Sequence, residues 1–120
     1  MHTIVIRIPV PKADHIITHG YQIGRRKHCA VGYLAQHTDA VKWRPMPGPG
    51  GGIDRNLEAR VARRCGVPQP RITRLRQEND RCGGPGCRMD EKNRALTPYS
   101  LLHEFIEEAP GVEWDEDLEE

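Results

Sequence analysis

The chain has 120 residues, with 18 Lys and Arg against 17 Asp and Glu for a net charge of +1, and 37% apolar residues. That length suits one domain with a modest core, and no segment approaches the ~20 consecutive apolar residues that span a bilayer. Residues 1–9 lack the apolar run and small-residue cleavage site of a secretory leader, so the expected location is the cytoplasm. There the four cysteines stay reduced and serve as core residues or metal ligands before disulfides.

The small net charge hides a division. Residues 1–94 hold all 18 Lys and Arg against 8 acids, a charge of +10, whereas residues 95–120 hold 9 acids and no Lys or Arg, a charge of −9. A basic body points to a polyanionic partner and an acidic end to a segment that competes with it. Mutual neutralisation within one fold explains the same layout.

In chain order, residues 3–8 alternate, with Ile4, Ile6 and Ile8 on one face; this predicts a half-buried strand ended by Pro9 and Pro11. Residues 15–18 and 21–23 fit short strands or a loose helical turn. The run His28-Cys-Ala-Val-Gly-Tyr-Leu-Ala-Gln-His-Thr38 predicts an apolar helix in which Cys29, Ala30 and Gly32 allow close packing. Residues 44–52, rich in Pro and Gly, form a loop between an N-terminal strand-and-helix part and a C-terminal helical part. Asp54 is placed to cap a helix to Cys65, with Leu57, Val61, Ala62 and Cys65 on one stripe. Gly66 takes the position past the helix end. The next helix begins near Pro68 or Pro70, tolerated in a first turn, and reaches about Gln77. Residues 79–96 are expected to be irregular. Thr97-Pro98 starts a helix to about Glu108 with Leu101, Leu102, Phe105 and Ile106 inward, and Pro110-Gly111 stops it. The expectation is an α+β, mainly helical small domain over residues 1–111, with a short N-terminal strand or hairpin and three to four helices. Residues 112–120 read as a solvated acidic tail anchored by Trp114.

Residues 57–77 carry the clearest functional signal. Ala62 lies four residues before Gly66, and Ile72 and Leu75 follow it by six and nine. Small, turn and apolar residues at those intervals let two short helices pack steeply. This stretch resembles the turn and recognition helix of repressor-type helix-turn-helix proteins. The resemblance implies a non-enzymatic, DNA-binding transcription regulator, dimeric because one unit reads few base pairs. Val61, Cys65, Val67, Ile72 and Leu75 are then packing residues, and Gln69, Arg71, Thr73, Arg74 and Gln77 form the outer face. Gln and Arg make the bidentate contacts that read base edges, and the resembled family points to Gln69, Thr73 and Arg74 as readers. Arg60, Arg63, Arg64, Arg76 and Arg81 become phosphate neutralisers. One departure is Pro68, where the family usually has a capping Ser or Thr. A third helix, 28–38 or 98–108, must pack behind the pair. An ordinary αα-hairpin with exposed arginines accounts for the same spacing.

Other motifs are weaker. Cys82 and Cys87 flank Gly-Gly-Pro-Gly and are candidate zinc ligands in a zinc-stabilised interaction module, but a structural site needs four ligands and His28, Cys29, Cys65 and His103 form no second pair. A flexible loop with two free thiols accounts for the same spacing, and an oxidised loop in a reactive environment is a third option behind it. Cys29 beside His28 reads as a buried structural cysteine before a nucleophile, so no catalytic residue is expected. Gly-rich 48–52 lacks the Lys-Ser/Thr ending of a phosphate loop. Finally, residues 28–34 followed by Ile72, Leu75 and Asn79-Asp80 resemble short uncharacterised proteins of phages and actinobacteria. They have no activity to carry over; the likeness implies a phage or mobile-element accessory protein that binds and inhibits a host protein complex.

Overall fold

The computed structural model describes residues 5–18, 28–38 and 55–118; the predicted loop at 44–52 and the short segment at 21–23 lie outside them. Within those residues the fold is α+β. The chain runs through strand β1 (Ile6–Pro9), a single 3-10 turn (Ala13–His15), helices α1 (Ala30–His37), α2 (Arg55–Cys65), α3 (Gln69–Asp80) and α4 (Pro98–Glu108), and strand β2 (Val112–Asp115).

β1 and β2 pair in parallel, Ile6 opposite Val112 through Pro9 opposite Asp115. The acidic C-terminal segment is therefore part of the fold through Asp115, a correction to the solvated tail expected over 112–120. The physical reason is alternation: Val112 is buried and Trp114 packs on the core, while Glu113 and Asp115 take ion pairs from Arg7 at 3.1 and 3.4 Å. β1 buries Ile8 and keeps Arg7 outside.

α1 begins two residues later than the apolar run suggests. His28 is extended and forms a parallel bridge with Ile16, and Cys29 is the N-cap, its sulfur accepting from the Gly32 amide at 3.3 Å. The Ala30 amide, an orphan donor of the first turn, donates to Asn79 Oδ1 of α3 at 3.1 Å. Asn79 is 1% exposed, and its Nδ2 donates to the Ile17 and Thr18 carbonyls at 2.9 and 3.1 Å. Because Asn79 faces inward, α3 continues to Asp80 instead of fraying at Gln77. Every residue of α1 from Ala30 to Ala35 is buried, and the Tyr33 hydroxyl donates to the Pro9 carbonyl.

α2 ends in a Schellman motif: Val67 N–H bonds the Ala62 carbonyl at 3.0 Å and Gly66 N–H the Arg63 carbonyl at 3.3 Å, with Gly66 at φ 72°. Pro110 and Gly111 lie directly on this turn. The Gly111 amide donates to the Cys65 carbonyl, and its own carbonyl accepts from Ile6 N, both at 2.9 Å. α4 starts as its sequence predicts, Thr97 accepting from Ser100 N at 3.1 Å with Pro98 in the first turn.

A Cβ on Gly111 would stand 2.6 Å from the Cys65 carbonyl carbon and 2.7 Å from the Arg64 oxygen, all backbone. Gly111→Ala is expected to lower unfolding free energy by about 3 kcal/mol, the upper range for overpacking. Gly84→Ala, whose Cβ would meet nothing closer than 3.9 Å, should change it by less than about 0.5 kcal/mol. Urea titration of both variants checks the contrast.

Candidate nucleic-acid interface

α3 packs against α1, α2 and α4, which leaves one face to solvent. Ile72, Leu75 and Asn79 form its buried side; Pro70, Arg74, Gln77 and Arg81 follow one another at helical spacing on the exposed side, and Gln69 is exposed at its start. Val61, Ala62, Cys65, Ile72 and Leu75, the packing positions of the helix pair, are all buried, and Val67 packs on the core from the turn. Both α1 and α4 supply the backing helix that the pair requires.

The expected outer-face residues divide into two groups. Gln69, Arg74 and Gln77 are exposed, and among the described residues Arg74 holds only an i,i+4 ion pair with Glu78 at 3.1 Å. Such pairs contribute a few tenths of a kcal/mol and release readily. Arg71 and Thr73 are half-buried and engaged. Arg71 Nη2 lies 2.6 Å from Glu108 Oε2, and its guanidinium carbon stands 5.8 Å from the centre of the Phe105 ring, a cation–π distance. Thr73 donates to Glu58 Oε2 at 2.7 Å. Arg76, expected at a phosphate, instead donates to Glu58 Oε1 and lies 3.9 Å from Asp80.

Sequence reasoning missed Glu58. It is 7% exposed on α2 and holds two α3 side chains at once, so it sets how the helices lie together. Its signal is non-local: an acid on an apolar stripe, 15 and 18 residues from its partners. The exposed face of α2 carries Arg60, Arg63 and Arg64. Arg63 and Arg64, like Arg81 at the end of α3, make no ion pair among the described residues.

Beyond α3, Arg88 bridges Glu78 at 3.3 Å and Glu104 at 2.8 Å, tying the 82–96 segment to α3 and α4. That segment is not wholly irregular: Met89 and Ala95 form an antiparallel bridge. Asp90 accepts from the Lys92 and Arg94 amides at 2.9 Å inside the resulting turn. Next to it opens a shallow recess of about 390 Å³ lined by Met89, Lys92, Arg94, Leu96 and Glu104 among others.

For zinc, Cys82 and Cys87 are neighbours, but no group of three or more His, Cys, Asp or Glu side chains is placed to hold a metal among the described residues. The candidate partners are used elsewhere. Cys29 caps α1, Cys65 is in the core, and His103 lies 3.2 Å from Glu107 and against Trp114. Two thiols do not make the four-ligand site that structural zinc needs.

No protein-family model matches the chain, no curated protein matches its sequence, and no solved structure matches it. No helix among the described residues is long and apolar enough to cross a membrane.

Burial raises the Cys29 thiol from 9.0 to about 11 and the Cys65 thiol to about 12. The folded chain therefore keeps both protonated where the unfolded chain ionises them. Their stabilising contribution is complete below pH 9 and is lost as pH rises through 11 and 12. Denaturant midpoints measured at about pH 8 and about pH 10.5 should show lower stability at the higher value, and replacing Cys65 by Val should flatten that fall.

Proposed function

We propose that this chain is a non-enzymatic, helix-turn-helix DNA-binding regulator. In this reading the exposed side of α3 enters the major groove, Gln69, Arg74 and Gln77 read base edges, and Arg60, Arg63 and Arg64 on α2 neutralise phosphates. Arg71, Thr73 and Arg76 leave the expected contact set: they fix α3 on its neighbours. The observation that carries the reading is the sorting of residues 57–77. Every packing position faces inward, and α3 keeps one unpacked face bearing two amides and a weakly held guanidinium. A two-fold dimer would place two such helices about 34 Å apart, one turn of duplex.

A second reading, an accessory protein that binds and inhibits a host protein complex, is favoured by the number of arginines already committed internally. Arg71 and Arg88 are paired with acids of α4. Of the residues behind the phage and actinobacterial likeness, 28–34, Ile72, Leu75 and Asn79 are buried and act as scaffold and Asp80 is exposed, so they name no partner. Removing residues 116–120 strips negative charge and spares β2. Tighter DNA binding by that truncated chain supports the regulator; unchanged DNA binding with loss of a protein partner supports the accessory reading.

Fluorescence anisotropy with random-sequence duplex DNA tests the proposal directly. Binding is expected at ~50 mM salt and should weaken by orders of magnitude by ~200 mM. Arg63→Ala and Arg64→Ala should each reduce the salt slope by about one, and Arg74→Ala should cost about 1–3 kcal/mol on a selected sequence and relax its preference there. Absence of any binding at the lower salt overturns the proposal.

A further inference from the structure

The segment that follows α3 carries a chemistry that DNA binding does not use. Arg81 closes the helix, and the chain then folds back twice within six residues. Cys82 N bonds the Asn79 carbonyl, Gly84 N the Arg81 carbonyl and Cys87 N the Gly84 carbonyl, each at 3.2 Å. Gly83 at φ 79° and Gly86 at φ 82° supply the left-handed residues that make both reversals possible. A Cβ at Gly83 would meet nothing within 4 Å, so backbone conformation, not space, requires that glycine.

The folding-back brings Cys87 close enough to Cys82 for the two thiols to interact electrostatically. Each also leans on a backbone carbonyl. Cys82 Sγ donates to Glu78 O of α3 and Cys87 Sγ to Leu96 O, both at 3.5 Å. The pair thus sits at the seam between the end of α3 and the 88–96 turn. Exposure differs: Cys82 is buried at 9% and Cys87 is half-buried. With two candidate ligands in reach among the described residues, the pair fits a two-thiol reaction better than an ion.

We propose that Cys82 and Cys87 are a modification site, a dithiol that closes reversibly to an intramolecular disulfide by exchange with a low-molecular-weight disulfide. Cys87, the more accessible sulfur, attacks as its thiolate. The external S–S bond breaks, and one external thiol leaves and takes a proton. Cys82 then gives up its proton and attacks the Cys87 sulfur, and the second external thiol leaves. The protein dithiol loses two electrons and two protons, and the external disulfide gains both. Burial, the largest cause of the raised Cys82 thiol, persists after Cys87 has reacted and slows the second step. Closure fastens the end of α3 to the segment that carries Arg88.

Trypsin cleavage after Arg81 and Arg88 releases both cysteines on one short peptide. The full chain, reduced and then equilibrated in mixtures of reduced and oxidised glutathione before acid quench, should yield that peptide about 2 Da lighter as the mixture becomes oxidising. Cys29 and Cys65 should stay alkylatable once the chain is unfolded. In Cys82→Ser the resolving thiol is gone, and a glutathione adduct should persist on Cys87. Cys87→Ser should give neither product at this loop. A peptide that stays reduced in every mixture, cross-links from Cys82 or Cys87 to another cysteine, or Cys82→Ser without an adduct would each overturn the proposal.

Discussion

The backbone contact between Gly111 and the end of α2 is the constraint on which the described fold turns. A helix leaves its last carbonyls without intrahelical donors, and here the Cys65 carbonyl is met by an amide 46 residues further along. The same residue's carbonyl then accepts from Ile6, so one glycine joins the α2–α3 corner to both strands. Only a residue without a side chain fits, because the space a Cβ needs is filled by the backbone of Arg64 and Cys65. Gly66 and Gly111 thus face each other for different reasons: the first supplies a left-handed backbone, the second allows close approach. α4 stops at Glu108 and Pro110-Gly111 carry the chain across the corner, so the position of β2 is fixed before its own pairing begins.

Two buried polar side chains then orient the helices where apolar packing alone is non-directional. Asn79 uses its oxygen and both amide hydrogens, on Ala30, Ile17 and Thr18, so α3 caps α1 and secures the segment leading towards it. Glu58 does the equivalent between α2 and α3. A carboxylate that is 7% exposed is costly without partners; Thr73 and Arg76 supply them from one face of α3. Together these contacts fix the rotation of α3 about its axis, and that rotation decides which of its side chains face water. Arg74 and Gln77 are outward because Asn79 and Thr73 are held inward.

What was legible in the sequence were the features governed by neighbours in the chain. The spacing around Gly66, the Thr97-Pro98 start and the stripe Leu101, Leu102, Phe105 and Ile106 correspond to local hydrogen bonding and helical period, and the structure has them at those residues. What was hidden depends on distant partners. Residues 112–115 alternate Val-Glu-Trp-Asp, but four residues among acids carry little strand signal until Arg7 and Ile8 stand beside them. His28 reads as helical in an apolar run; its pairing with Ile16 withdraws it. Within the candidate interface the face of α3 was legible, but the loss of Arg71, Thr73 and Arg76 from it was not, since Glu58 and Glu108 lie outside any window a periodicity can see.

The division of charge along the chain acquires a physical meaning from these pairs. Arg7, Arg71 and Arg88 of the basic body reach Glu113, Asp115, Glu108 and Glu104 of the acidic end, so part of the contrast is spent holding β1, α3 and the 88–96 turn onto α4 and β2. Exposed pairs of this kind contribute little stability singly, but they give each acid a defined cation and keep it from competing for the others. The arginines without ion pairs among the described residues, Arg63, Arg64 and Arg81, are exposed on α2 and at the C-terminal end of α3. Internal neutralisation and polyanion binding are therefore not rival explanations of one composition. The acidic end satisfies the cations that the fold turns towards it, and among the described residues the arginines left without ion pairs stand exposed on α2 and at the end of α3.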